Sequence, residues 1–282
     1  THIFQDTLVG FHVLLFITSV FCYGALEQWI ERHAITYGIC VITFYFLSNQ
    51  SYMSAIRQSV AVGFILWALM AMEDLNGRKR YIVYALLIAF ATLFHKTAVV
   101  ALIFPFLMKR EYTRNTTWLL MLITLVATLT NVVSSVISIL GLRTGYVTTE
   151  IGNAVNVGVV SLLYFALLLL RLICDNSSYI MDEGTADIEN TAYGDSFYTY
   201  CIALSLAVTV MSLRAAGMSR LNMYLQLVGL PYVSNIMRRI ENQRVAFIVK
   251  VVFSMAIWGY SVIALIYRPE WQHIWPYHFY WQ

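Results

Sequence analysis

The feature that most constrains this chain is a succession of apolar runs with few charges inside them. They fall at residues 8–25, 34–48, 55–72, 81–94, 97–108, 117–137, 154–172, 197–213, 221–237 and 246–267. A bilayer's hydrocarbon core, about 30 Å thick, is crossed by about 20 residues of helix, with a range of 17–25. Several runs meet that length. Inside lipid the backbone polar groups must pair within the chain, so such runs read as helices. Apolar residues make up 60% of the 282 and charged residues 12%, where a soluble domain carries roughly 25% charged. The expected fold is all-α. It is a polytopic transmembrane helical bundle of about ten apolar segments, forming one membrane domain over residues 1–282. The chain opens on THIFQDT without an initiator Met, and further membrane segments are expected ahead of it.

Two boundaries need comment. The runs 81–94 and 97–108 are short and meet at Phe94-His95-Lys96-Thr97. They read either as a hairpin of short helices or as one long helix kinked near Pro105. The one long polar stretch runs from Cys174 to Ser196 and holds Asp175, Asp182, Glu183, Asp187, Glu189 and Asp195. It reads as a solvated loop.

Orientation follows from where Lys and Arg fall. With the hairpin reading, one face carries Arg32, Arg78, Lys79, Arg80, Lys109, Arg110, Arg114, Arg171, Arg238, Arg239, Arg244 and Lys250. The other carries Arg57, Lys96, Arg143, Arg214, Arg220 and Arg268. The richer face is expected to be cytoplasmic, and the 174–196 loop with it. A single span over 81–108 would send Arg238, Arg239, Arg244 and Lys250 outward, so the charge bias favours the hairpin.

The net charge of +3 comes with no basic stripe, so a nucleic-acid partner is not expected. The four cysteines, Cys22, Cys40, Cys174 and Cys201, have neither CxxC nor Cys/His spacing. They suggest no metal or disulfide framework.

The outward charges sit at helix ends among polar and aromatic neighbours. Arg57-Gln58 opens the third run. His95-Lys96 separates two apolar halves. Arg143 and Tyr146 follow Leu140, with Glu150 close behind. Arg214 and Arg220 flank Ala215–Ser219, and Tyr224 lies one turn after Arg220. Each has an ordinary structural reading: arginines snorkel to headgroups, a lone histidine packs in a core, and tyrosines pack. The tail RPEWQHIWPYHFYWQ reads as an interfacial aromatic belt, with Trp271, Trp275 and Tyr277 as candidates for stacking on sugars. Convergence of several basic groups on one face points instead to a phosphate or pyrophosphate site, because Arg gives bidentate, permanently charged contacts to such oxygens.

The run Tyr52-Met53-Ser54-Ala55-Ile56-Arg57-Gln58-Ser59-Val60-Ala61 is followed by a basic turn, RKRY. After it comes Ala91-Thr92-Leu93-Phe94-His95-Lys96-Thr97-Ala98. Together these resemble the EpsG/Wzy-type polysaccharide polymerase family. Arg143-Thr144-Gly145-Tyr146, Arg220-Leu221-Asn222-Met223-Tyr224 and the closing Trp275-Pro276-Tyr277 are similar to more loosely kept parts of it. The resemblance covers roughly residues 45–282 and is sharpest near Arg57 and His95. It implies a helical membrane glycosyltransferase with a C-type glycosyltransferase-like fold, in the bacterial inner (plasma) membrane. The implied active site faces the periplasm or exterior. Such an enzyme joins glycan repeats carried on undecaprenyl pyrophosphate, for O-antigen, capsule or exopolysaccharide. It needs no cofactor, metal or nucleotide sugar. The implied partners are the lipid-linked oligosaccharide, membrane lipid and a polysaccharide chain-length regulator.

The expected roles follow from the chemistry. Arg57, Arg143, Arg214 and Arg220 would stabilise the charge growing on the departing pyrophosphate. His95 would act as base towards the attacking hydroxyl, kept neutral by neighbouring cations, and Glu150 is its rival. Gln58, Lys96, Tyr146 and Tyr224 would bind glycan or phosphate oxygens. Three other functions use the same features: an O-antigen ligase, a flippase for the lipid-linked oligosaccharide, and a non-catalytic membrane scaffold. A transporter should show inverted repeats and charges at mid-membrane. The sequence has no such repeat, and its charges gather at helix ends.

Overall fold

The computed structural model describes residues 7–130, 151–176, 194–213, 218–240 and 242–267. Among these every regular element is helical. The chain divides into two compact units, residues 1–33 with 49–102, and residues 34–48 with 103–282.

The first unit is built on three helices. α1 (Thr7–His33) and α4 (Ile56–Asp74) pack closely at Gly63, where a Cβ would stand 2.6 Å from the Phe21 ring. α4 is the most enclosed of the three, with 12 of its 19 residues buried. It turns through Leu75–Gly77 into α5 (Arg78–Phe94), and Gly77 takes φ 65°, a conformation that side-chain-bearing residues avoid. Phe64 of α4 stacks on Phe90 and Phe94 of α5 at 6.2 and 5.6 Å. Between α1 and α4 lies a short helix α3 (Asn49–Ser54), separated from α4 by a break at Ala55.

At His95 the backbone becomes extended, with φ −150° and ψ 113°, and the chain reverses. The return leg is a 3₁₀ segment, Lys96–Ile103. Tyr84 Oη donates to the carbonyl of Ala101 at 2.6 Å. In one straight helix those residues would stand about 25 Å apart, so the segment is the hairpin that the charge bias favours. Pro105 falls in the first turn of the short helix α6 (Phe104–Leu107), where its missing N–H costs least.

The second unit begins with α2 (Tyr37–Thr43), which runs into a π-helical turn at Phe44–Ser48. Its centre is α9 (Gly194–Met211), against which α7 (Arg114–Leu129), α8 (Ile151–Asn176), α10 (Ser219–Val228) and α11 (Pro231–Arg238) all pack. Gly229 lets α10 approach α9 closely: a Cβ there would meet Cys201 Cβ at 2.9 Å. α12 (Gln243–Tyr267) packs on α2, the π turn and α11. It exposes Phe247, Ile248, Val252, Met255 and Ile266, an apolar surface suited to lipid.

Five described helices contain stretches long and apolar enough to cross a membrane: Gly10–His33, Ile56–Asp74, Val157–Cys174, Gly194–Met211 and Gln243–Ala264. The other expected runs take different forms. Residues 34–48 and 97–108 become short, irregular helical stretches. Run 81–94 becomes a 17-residue helix opening on three basic residues. Run 221–237 is cut at Gly229-Leu230-Pro231, because Pro231 has no N–H to carry a helix through. Run 117–137 is described only to Thr130. The polar stretch 174–196 is shorter than its composition suggests: α8 holds residues 174–176 and α9 holds 194–196.

Candidate functional site

In the first unit the basic residues separate to opposite ends. Arg32, near the end of α1, donates to both oxygens of Asp74, at 3.0 and 3.1 Å, where α4 ends. Arg78, Lys79 and Arg80 begin α5 at that same end. His33 is buried there, its ring tilted against Trp29 with centroids 4.0 Å apart, and its Nε2 lies 3.5 Å from Glu73. Arg57 lies 17 residues before Asp74 on α4, and His95 lies 17 residues after Arg78 on α5. In this antiparallel pair each stands about 25 Å from the turn, so both reach the same, far end.

What holds Arg57 is the broken entry into α4. Ala55 adopts φ −108° and ψ 54° between α3 and α4. The Ser59 hydroxyl donates to the Tyr52 carbonyl and lies 3.3 Å from the Ala55 carbonyl. Tyr52, almost fully buried, anchors the turn to α1 by donating from Oη to the Cys22 carbonyl at 3.0 Å. Tyr23 Oη adds a 2.6 Å hydrogen bond to Asn49 Oδ1. Arg57 is exposed beside this fixed turn, and Gln58 is turned inward and buried. His95 is half-buried, its Nδ1 2.6 Å from Thr97 Oγ1, and Lys96 is exposed. An exposed guanidinium, an exposed ammonium and an imidazole oriented by a hydroxyl thus share one helical end. Such a set can bind an anion and move a proton beside it.

In the second unit Arg220 is exposed in the first turn of α10. Tyr224 is fully enclosed, which makes its ring a packing group in this conformation, the ordinary alternative of the two readings. Near it lies a polar layer that the sequence did not single out. Gln226 Nε2 donates to Ser48 Oγ, in the π turn, at 2.5 Å. Arg143, Tyr146, Glu150 and Arg214 lie outside the described residues, as do Trp271, Trp275 and Tyr277.

The strongest charged cluster lies at the other end of this unit. Arg171 of α8 donates through Nη1 to Asp195 Oδ2 and to Thr199 Oγ1. Arg239, just past α11, donates from Nη2 to the same carboxylate oxygen at 2.9 Å. The Arg171 guanidinium also stands 5.5 Å above the Tyr112 ring. Burial raises the Tyr112 phenol above its ordinary value. Asp195 and Arg171 are each about nine-tenths buried. Sequence reading had placed Asp195 in a solvated acidic loop and Arg171 and Arg239 among topology charges. Their separations of 24 and 44 residues leave no local pattern to pair them.

Within each unit, then, most of the described basic residues lie at or near helix ends as the charge count divides them. Arg32 and Arg78–Arg80 stand opposite Arg57 and Lys96. Arg171 and Arg239 stand at the start of α9, and Arg220 lies beyond its end. Several long apolar helices with most charges near their ends fit a multi-pass membrane protein. The chain belongs to the EpsG family, whose model matches residues 1–279. This is the family of EpsG/Wzy-type polysaccharide polymerases. No curated protein and no solved structure matches the chain.

Proposed function

We propose that this protein polymerises glycan repeat units carried on undecaprenyl pyrophosphate, at the outer face of the bacterial inner membrane. The observation that supports this most is the joint placement of Arg57, His95 and Lys96 at the end of the first unit opposite Arg32 and Arg78–Arg80. By the preference of Lys and Arg for the cytoplasmic side, the richer end faces the cytoplasm and the Arg57 end faces outward.

The reaction needs little from the protein beyond positioning and charge. A hydroxyl oxygen of the acceptor repeat attacks the anomeric carbon of the donor glycan. The bond from that carbon to the pyrophosphate oxygen breaks, and the lipid pyrophosphate leaves with the electron pair. The hydroxyl proton passes to a base. Arg57 stabilises the negative charge on the leaving group, a role that preorganised donors perform without a metal; the sequence offers Arg143, Arg214 and Arg220 as further candidates for the same role. His95 is the base, its ring oriented by Thr97 Oγ1 at 2.6 Å from Nδ1. Glu150 is the competing candidate. Lys96 contributes oxygen contacts, and the resemblance adds Tyr146; Gln58 and Tyr224 are buried and pack. The substrate partner is a lipid-linked oligosaccharide held in membrane lipid, and a chain-length regulator is a second protein partner.

The test is reconstitution with authentic undecaprenyl-pyrophosphate repeats, without added metal or nucleotide sugar, and with the products resolved as a ladder. A ladder that disappears in Arg57→Ala and His95→Ala proteins supports the proposal. Failure of intact protein to make any ladder from authentic substrate overturns it in favour of a ligase or a flippase.

A further inference from the structure

The second unit carries a groove of about 300 Å³ between α7, α8 and α9. Its walls are apolar: Leu120 and Met121 from α7, Phe165 and Leu168 from α8, and Leu206 from α9 among them. Ala203 and Ala207, one turn apart on α9, supply the small side chains that leave the space open. Thr124 and Thr128 also line it, but their hydroxyls are spent on backbone carbonyls one turn earlier, at 2.7 Å each. They therefore present methyl groups to the groove.

Its two ends differ. α7 and α9 start together, joined by the Tyr112 amide donating to Ser196 Oγ at 3.1 Å. Tyr112 lines the groove at that end, under the Arg171 guanidinium. The sequence neighbours of Tyr112 include the exposed basic residues Lys109, Arg110 and Arg114 with the exposed acid Glu111, while Asp195, the other acid described at this end, is buried and paired with Arg171 and Arg239. Among the described residues the opposite end, at Thr128 and Val210, carries no such rim.

Dimensions select the occupant. From Thr117 to Thr128 the groove follows α7 for about 16 Å, close to half of a 30 Å hydrocarbon core. A helix 10–12 Å across would need over roughly 1000 Å³ along that length, several times the volume of this groove, which suits a thinner chain. We infer that this groove holds one acyl chain of an anionic membrane phospholipid, with its headgroup phosphate at Lys109, Arg110 and Arg114. Guanidinium and ammonium groups at the rim match a phosphodiester's charge, and the methyl-lined walls match the chain. This end carries the basic residues that the charge pattern assigns to the cytoplasm, so the bound lipid belongs to that leaflet. The inference does not rest on the polymerase reading, because its readout is binding alone.

Full-length protein in detergent is titrated with phosphatidylglycerol or phosphatidylcholine and examined by native mass spectrometry. One phosphatidylglycerol per chain is expected to remain bound, with phosphatidylcholine retained at least tenfold less. Ala207→Trp should abolish retention by filling the groove, and Arg110→Gln with Arg114→Gln should remove the preference for the anionic lipid. Melting in lipid-free detergent checks that each variant is folded. If Ala207→Trp does not fold, Thr128→Trp, at the end away from the basic rim, takes its place. Equal retention of the two lipids would overturn the inference. So would undiminished binding in a folded groove-filled variant, or displacement of phosphatidylglycerol by equimolar undecaprenyl phosphate.

Discussion

Replacing Asp195 with Ala tests what holds the helices of the second unit together. Asp195 accepts from both Arg171 and Arg239, and its side chain is only 9% exposed. The two guanidiniums differ in their access to water: the Arg171 side chain is 10% exposed and that of Arg239 is 21%. With the carboxylate gone, Arg239 can turn towards solvent, but Arg171 keeps its charge in place beside Thr199 and the Tyr112 ring. Breaking a buried pair by removing one partner costs about 3–5 kcal/mol. For a chain of this size each kcal/mol lowers the melting temperature by about 2–4 °C, so the expected drop is about 6–20 °C. The assay is thermal unfolding in detergent, followed by intrinsic fluorescence at a fixed scan rate, because membrane proteins often unfold irreversibly. A double variant, Arg171→Leu with Asp195→Leu, removes both charges of the tightest pair. It should recover much of the loss, since apolar groups of similar volume commonly replace a buried pair at little cost. A drop below about 2 °C for Asp195→Ala, which corresponds to under 1 kcal/mol, would refute the claim that this carboxylate is needed to keep Arg171 buried.

Three further outcomes are expected. Arg57→Lys should retain part of the polymer yield and Arg57→Ala should lose it, since a point charge replaces only some of a bidentate contact; ladder length with membrane insertion as control decides this, and equal yields from both would count against a pyrophosphate role. Gly229→Ala should cost about 1–3 kcal/mol, read as a lower melting temperature, because its Cβ would meet Cys201 Cβ at 2.9 Å and Ile202 Cδ1 at 3.1 Å. Tyr84→Phe removes the donor to the Ala101 carbonyl and should cost about 0.5–1.5 kcal/mol; amide exchange should rise most in Lys96–Ile103, the segment this bond holds against α5.

Much of the fold could be read from local signals. Long apolar runs become helices because lipid leaves the backbone no other way to pair, and α4, α9 and α12 follow directly from their composition. The reversal at His95 was legible through charge counting, a non-local use of local residues. The cut at Gly229-Leu230-Pro231 had its signal in Pro231, but the surrounding run was apolar enough to mask it. The α2 segment ending in a π turn carries no composition that distinguishes it from a straight helix. In the candidate site, Arg57, His95 and Lys96 were found because they sit at helix ends beside polar neighbours. Asp195 was misjudged because its neighbours in sequence are acidic and its neighbours in space are two arginines. Gln226 and Ser48 were missed for a related reason: 178 residues separate two ordinary polar groups that meet only through packing.

The break at Ala55 has an electrostatic effect that a count of charged side chains omits. Were residues 49–74 one uninterrupted helix, the peptide dipoles around Arg57 would cancel head to tail. Because α4 starts afresh at Ile56, the aligned dipoles of its 19 residues end there, equivalent to roughly half a positive charge at the N-terminus, offset in part by the opposite pole of the six-residue α3 that ends at Ser54. Arg57 lies within that first turn, so its guanidinium and the helix end add to one local potential. An Arg57→Gln protein would keep the helix's share of it. A protein whose α3 and α4 were fused into one helix would lose that share while keeping every charged residue.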